Sequence, residues 1–188
     1  MKRKKDFNNP TEKYEKATFA GGCFWCIQPA FVVMPGVIQV TAGYAGGKEK
    51  NPGYEEVASG ATGHREAVQI VYNHSVINYK DLLDFFWKNI DPTDDGGQFV
   101  DRGKQYASAI FYHSEEQRKL AVDSKNKLEK SRKFDRPIVT EIVPYTSFYL
   151  AEGYHQDYYN KNPLKYKLYR IGSGRDDFLR KMWGNKNG

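Results

Sequence analysis

The stretch GGCFWC, residues 21–26, constrains the fold of this chain more than any other segment. Two glycines separate a strand-like run from Cys23, one of only two cysteines, and an apolar stretch follows. This order predicts a strand that turns at the glycines into a helix whose N-terminus holds Cys23. The free N–H groups and the positive dipole end of such a helix would lower the pKa of the Cys23 thiol. The pattern therefore predicts a reactive thiolate, with burial of a small cysteine in the core as the alternative.

Length and composition indicate a single globular domain. The chain has 188 residues, 39% of them apolar, which is enough for one sizeable core. Residues 1–13, predicted to be a flexible basic segment, start with the charge of a signal peptide, but polar residues follow instead of an apolar stretch. No window approaches the ~18 apolar residues of a membrane span. Two cysteines three positions apart make no disulfide scaffold, so we expect a reducing, cytoplasmic compartment and no membrane partner.

The net charge of +6 raises the possibility of a nucleic-acid-binding module. The distribution of the charge argues against it, because much of the basic excess lies in residues 2–5, in 125–133 and after 161. Such clusters are usually solvated faces or loose termini. A non-catalytic nucleic-acid-binding role is kept as an alternative hypothesis, but no nucleic acid partner is expected.

The hydrophobic pattern predicts alternating strands and helices with hairpin-free connections, which favours a single sheet with helices packed on it. Strands are predicted at 16–20, 37–41, 66–72, 106–112 and 138–143. Helices are predicted from Cys23 to about 33, at a short turn from 54, over 78–90, from a capping box at 114–117, and over 151–159. The polar loop 91–104 is too rich in Asp and Gly to pack, and such loops often carry function.

The pair Cys23 and Cys26 admits three chemical interpretations. Cys23 could attack an electrophilic centre such as a sulfoxide and become a sulfenic acid. Cys26 would then condense with this sulfenic acid to form a disulfide. The pair could instead be a thiol–disulfide exchanger of the thioredoxin type. It could also be half of a zinc site, but there is no second cysteine pair and the four histidines are scattered. Regular helical spacing holds such positions ~5–6 Å apart at Cβ, whereas a disulfide needs roughly 3.8 Å, so the first turn must deform.

Five motifs in a fixed order narrow these interpretations. They are GCFW at 22–25, NPGY at 51–54, GHREAV at 63–68, DRGKQY at 101–106 and YHQ at 154–156. In order and spacing the chain resembles the peptide methionine sulfoxide reductase A family over roughly residues 14–163. The resemblance implies an α+β domain with a ferredoxin-like two-layer core, a mixed sheet with helices packed on it. It also implies reduction of the S epimer of methionine sulfoxide, free or in proteins.

The residues that match the motifs of this family are then assigned roles that fit the chemistry of their side chains. Phe24 and Trp25 would cage the S-methyl group of the substrate, since a methyl offers only shape and dispersion for recognition; the alternative is that both are core aromatics. Glu66 would be the acid, because a sulfoxide oxygen leaves poorly unless it is protonated and a partly dry pocket keeps a carboxyl neutral. Without the resemblance, Glu66 would be taken for a surface charge.

The resemblance places further polar residues around the sulfoxide. Tyr54 and Tyr106 would hydrogen-bond its oxygen and fix which face of the chiral sulfur meets the thiolate. Asp101 is expected to lie beside the active site, where it would orient a neighbouring group or act on it through its charge. His155 is expected to be supporting or structural.

Many family members carry further cysteines near the C-terminus, but residues 164–188, predicted to be a tail after the catalytic domain 14–163, have none. Cys26 is therefore the intramolecular candidate for resolving the sulfenic acid, with thioredoxin or another thiol as the reductant. No bound cofactor and no metal are expected, and the chain is expected to be a monomer.

Overall fold

The structure is a computed structural model that describes residues 13–184; the predicted flexible segment lies outside this range except for its last residue. The strands are β1 Tyr14–Ala20, β2 Val37–Ala45, β3 Arg65–Asn73, β4 Gly97–Gln98, β5 Asp101–Arg102, β6 Ala109–Tyr112, β7 Glu141–Pro144 and β8 Phe148–Leu150. The helices are α1 Phe24–Val32, α2 Tyr54–Ala58, α3 Tyr79–Trp87, α4 Glu115–Lys130, α5 Tyr158–Lys161, α6 Pro163–Gly172 and α7 Arg175–Trp183, with a 3₁₀ turn at Lys104–Tyr106.

Six strands form one sheet in the order β7-β6-β1-β3-β2-β8. Its four central strands are antiparallel neighbours and, with α1 and α3, follow the β-α-β-β-α-β order of a ferredoxin-like core. At one edge β7 runs parallel to β6, and at the other β8 runs antiparallel to β2. The predicted α+β class, a mixed sheet with helices packed on it, is confirmed.

The core lies between the sheet and its helices because alternate strand residues are apolar on that face. Phe19 of β1 stands at its centre, with its ring stacked 4.9 Å from Phe86 of α3 and 5.6 Å from Phe31 of α1. Both helices therefore dock on the strand that leads directly into the GGCFWC turn. This packing fixes where β1 ends and α1 begins.

Some predicted elements are wrong. The helix expected over 151–159 is a turn followed by α5, because the Gln156 amide pairs with the backbone N–H (2.9 Å) and C=O (2.8 Å) of Ala42 as a neighbouring strand would. Connections are not hairpin-free either, since β4 and β5 form a small antiparallel pair in the polar loop. Only half of the capping box forms: Ser114 accepts from the Gln117 N–H (3.2 Å), while the Gln117 side chain bonds to His113 and Lys16.

The C-terminal segment, for which no element was predicted, contains α6 and α7. Pro163 stands in the first turn of α6, and two aspartates open α7 while basic residues close it, which are ordinary helix signals. The domain boundary at 163 stays a prediction. Within residues 13–184, no helix combines the length and apolar character needed to cross a bilayer.

Candidate active site

The site forms at the end of the sheet where β1 stops and β3 starts. Gly22 adopts a positive φ of 84°, and a Cβ there would lie 2.6 Å from the Gln98 Cβ and 2.8 Å from a nitrogen of Arg175. Only glycine fits this turn, and it places Cys23 at the N-cap of α1. Because β3 runs antiparallel to β1, Glu66 at the start of β3 lies beside the same turn.

Both cysteines are free thiols, with Cys23 6% and Cys26 1% exposed. The Cys26 N–H donates to the Cys23 backbone oxygen at 3.0 Å. Their side chains also interact, since each thiol affects the pKa of the other. The first turn of α1 therefore holds the two thiols within interacting distance.

The prediction that the helix N-terminus lowers the pKa of Cys23 is wrong. Burial, the hydrogen bond to Cys26 and the nearby Glu66 raise the pKa of the Cys23 thiol. One amide of this helix end is occupied, since the Phe24 N–H donates to Glu66 Oε2 at 3.0 Å.

The lowered pKa belongs to Cys26, at about 6. The hydrogen bond from Cys23 is the main cause, and the positive charges of Arg175 and Arg170 add to it against the opposing effect of burial. Of the two thiols, Cys26 therefore loses its proton more readily and Cys23 holds its proton more firmly.

Glu66 is 2% exposed, and burial raises its pKa to about 8. The hydrogen bond from the Phe24 N–H lowers the pKa and the nearby Asp101 raises it, but burial is the largest effect. The carboxyl is therefore protonated at neutral pH, as the acid role that the resemblance implies for Glu66 requires.

Tyr54, Tyr106 and Asp101 lie close enough to Cys23 and Glu66 to influence one another electrostatically. Burial raises the pKa of Tyr54 to about 12 and that of Tyr106 further, so both hydroxyls keep their protons and can donate them in hydrogen bonds. Burial also raises the pKa of Asp101, although the Tyr169 hydroxyl, which donates to its Oδ2 at 2.5 Å, opposes this. The polar residues predicted from separate motifs are thus brought together.

The two aromatic residues after Cys23 lie in different surroundings. Phe24 is buried in the main core against Tyr44, which is the packing alternative named above. Trp25 is partly buried, and its Nε1 donates to His155 Nδ1 at 3.0 Å. His155 is buried, which lowers its pKa and keeps the ring neutral, so it can accept this bond. A substrate-binding role for both aromatic residues stays a prediction.

Sequence reasoning missed the residues that the C-terminal helices bring to the site. The Tyr158 ring stacks on Trp25 at 3.8 Å with an interplanar angle of 7°. Tyr169 lies edge-on to Trp25 at 5.9 Å, donates a hydrogen bond to Asp101 and lies close enough to Cys23 for the two to affect each other's pKa. The helix signals of the segment were present in the sequence, but nothing in them indicated that the helices fold back onto α1.

No group of three or more His, Cys, Asp or Glu suited to hold a metal ion occurs in the described part of the chain.

With this site in place, comparison with known proteins decides the family. The family model described as peptide methionine sulfoxide reductase matches residues 15–187. The chain belongs to this family. The predicted resemblance is confirmed, and the chain is an oxidoreductase, a peptide methionine sulfoxide reductase of the A class.

Individual relatives agree with this membership. Peptide methionine sulfoxide reductase MsrA of Bacillus licheniformis is 56% identical over 176 residues, which cover 94% of this chain and 97% of that protein. The crystal structure of reduced Mxr1 from Saccharomyces cerevisiae is similar with a TM-score of 0.77 and 35% identity, covering 83% and 89% of the two chains. Mxr1 in complex with Trx2 is similar with a TM-score of 0.54 and 25% identity, covering 80% and 87%.

Proposed function

We propose that this chain reduces the S epimer of methionine sulfoxide, free or in proteins, to methionine through a sulfenic acid on Cys23. The observation that carries the proposal is the meeting of the paired sulfurs with a buried, protonated Glu66 at one end of the sheet. Attack on a sulfoxide needs this combination, since the sulfur nucleophile and the acid must act on neighbouring atoms of one small group.

In the first step Cys23 attacks the sulfoxide sulfur. The Cys26 thiolate takes the Cys23 proton, and Glu66 gives its proton to the sulfoxide oxygen. The attack forms a transient S–S bond between Cys23 and the substrate sulfur. This bond and the S–O bond of the substrate then break as the hydroxyl group moves to Cys23, giving methionine, the Cys23 sulfenic acid, the Cys26 thiol and the Glu66 carboxylate. Protons and charge balance, because two protons and one negative charge are present on each side.

The remaining residues orient the substrate in this proposal. Tyr54 and Tyr106 donate hydrogen bonds to the sulfoxide oxygen, and this contact selects the S epimer. Asp101 acts electrostatically beside them. Trp25, with Phe24 behind it, provides the apolar contact for the methyl group.

In the second step Cys26 attacks the Cys23 sulfenic acid, which gives a disulfide and water. A thiol of a thioredoxin then reduces this disulfide. The interaction between the two thiols supports Cys26 as the resolving residue, and the structural likeness to Mxr1 in complex with Trx2 supports thioredoxin as the partner. We also propose a reducing, cytoplasmic location, in keeping with the two free thiols.

Epimer-specific turnover tests the reduction. The protein is incubated with dithiothreitol and each epimer of methionine sulfoxide, and the methionine formed is counted. We expect turnover of the S epimer alone and none in Cys23→Ser. Disulfide exchange without turnover of either epimer would instead favour a thiol–disulfide exchanger and would remove this proposal.

Mass spectrometry after one equivalent of substrate tests the resolving step. The wild-type chain should lose two hydrogens, whereas Cys26→Ser should gain one oxygen or a thiol adduct. A loss of two hydrogens in the Cys26→Ser variant would exclude Cys26 as the resolving residue.

A further inference from the structure

Two arginines of the C-terminal helices lie against Cys26. Arg170 of α6 donates from Nη1 to the Cys26 backbone oxygen at 3.1 Å, and its positive charge acts on the sulfur of the same residue. Arg175, at the start of α7, is 1% exposed and its charge acts on the same sulfur. Neither arginine lies in the motifs that predicted the site.

Both guanidinium groups are held in place. Asp176 Oδ1 accepts from Arg170 Nε at 2.9 Å and from Nη2 at 2.6 Å. Arg175 donates to the backbone oxygens of Asn89 (2.6 Å) and Gly21 (3.0 Å). Two fixed positive charges therefore face a sulfur that is almost fully buried, where charge interactions are screened less than at the surface.

We propose that Arg170, with Arg175 as a second charge, is a positioning residue that keeps Cys26 ionised and directed at Cys23 for disulfide formation. The inference rests on the proposed function, in which Cys26 resolves the sulfenic acid. In that step the Cys26 thiol left by the first step gives up its proton and the electron pair of the resulting thiolate forms the S–S bond. The S–O bond of Cys23 breaks, and the leaving hydroxide takes that proton and departs as water.

Apart from the two arginines, Cys23 is the one charged or titratable group described here that favours the Cys26 thiolate. Cys23 stabilises the charge by its hydrogen bond while it keeps its own proton. Glu66 of β3 and the hydroxyls of Tyr166 and Tyr169 interact with Cys26 as neutral or repelling groups. Once Cys23 has become a sulfenic acid its thiol no longer donates to Cys26, so the arginines are what remains to hold the negative charge there.

Titration of Cys26 alone tests this inference. In a Cys23→Ser background the ultraviolet absorbance of the single thiolate is followed against pH, with and without R170Q. We expect R170Q to raise the titration midpoint by about 1–2 pH units, because one adjacent charge is lost, and R170K to raise it less because the charge is kept. R180Q is the matched control, since Arg180 pairs with an aspartate on α7 in an exposed position, and its midpoint should not move.

A kinetic readout in the two-cysteine protein complements the titration. The pH at which disulfide formation reaches half its maximal rate should rise in R170Q by the same amount and stay unchanged in R180Q. Identical midpoints for R170Q and R180Q, or an R170K midpoint as high as that of R170Q, would overturn the inference. The titration uses no sulfoxide, so a shift without any turnover would reject the proposed function and leave the role of Arg170 standing.

Discussion

Glu66 is the residue in which burial is most directly connected to the reaction, through the proton that its carboxyl retains. Its proton is retained because the site excludes water, and that same proton is what a sulfoxide oxygen needs in order to leave. The Phe24 N–H, which donates to Glu66, prevents the pKa from rising further. The carboxyl thus stays an acid at neutral pH while remaining able to release its proton.

This raised pKa predicts a pH-dependent stability difference between Glu66→Gln and the wild type. Below the ordinary value near 4.5 the carboxyl is protonated in both folded and unfolded chains, and from there to about 8 only the folded chain keeps the proton. The contribution of Glu66 to stability is therefore lost as pH rises, at about 1.4 kcal/mol for each pKa unit.

Urea denaturation at several pH values between about 5 and 8 checks this prediction. Relative to the wild type, Glu66→Gln should gain several kcal/mol across this range. Glu129→Gln, at an exposed position on α4, is the matched control. A constant difference between Glu66→Gln and the wild type at all pH values would contradict a buried, protonated carboxyl.

At the scale of elements, α5 is held against α1 by the stacking of Tyr158 on Trp25 and by the Asp157 N–H, which donates to Gln28 Oε1 at 3.0 Å. We expect Tyr158→Ala to remove the stacking on Trp25 and to lower the free energy of unfolding by about 0.5–1.5 kcal/mol more than Tyr159→Ala. Tyr159 is the control because, within residues 13–184, its one aromatic ring contact is with Tyr166, edge-on at 6.3 Å. Urea unfolding of the two variants measures the difference, and equal losses would show that the stacked pair does not hold the helix.

Local pattern predicted most elements because their periodicity and end signals lie within a few residues. The helix after Asn78 begins where the capping residue predicts, since Asn78 accepts from the Asp81 N–H at 3.0 Å. The segment 151–159 failed because Gln156 contacts Ala42, 114 residues away, and this contact decides the local backbone. A single sequence contains no local sign of such a partner.

The candidate site, too, could be predicted in part from local motifs and in part could not, because some of its properties depend on long-range contacts. The order of the motifs pointed to Cys23, Glu66 and the residues around them, because each motif includes the side chains to which a role was assigned. It could not show how far the pKa of Cys26 is lowered, since Arg170 and Arg175 add to the effect of Cys23 and meet Cys26 only after the C-terminal helices have folded back. Charge environments created by long-range contacts have no sequence pattern of their own.

At the scale of the whole molecule, Arg175 joins the end of the chain to its beginning. Its guanidinium bonds to backbone oxygens after β1 and after α3 and lies 4.6 Å from the Phe99 ring. We expect Arg175→Met to lower the free energy of unfolding by about 2–5 kcal/mol, because two buried carbonyls lose a charged donor. Arg180→Met, which removes an exposed ion pair, should cost about 0–1 kcal/mol.

Chemical denaturation with a fluorescence readout compares these two arginine variants. A loss for Arg175→Met no larger than that for Arg180→Met would mean that the buried guanidinium does not connect the two parts of the fold. Circular dichroism of each purified variant establishes that it is folded before its unfolding is measured.

The return of α6 and α7 to the GGCFWC turn also has a consequence for biosynthesis. A ribosome makes Cys23 and Cys26 long before it makes Arg170 and Arg175. While the nascent chain is still tethered, both thiols exist without the arginines that charge one of them. The charges of the two arginines act on the pair only after translation has delivered the last helices, so the growing polypeptide carries its cysteines without this contribution.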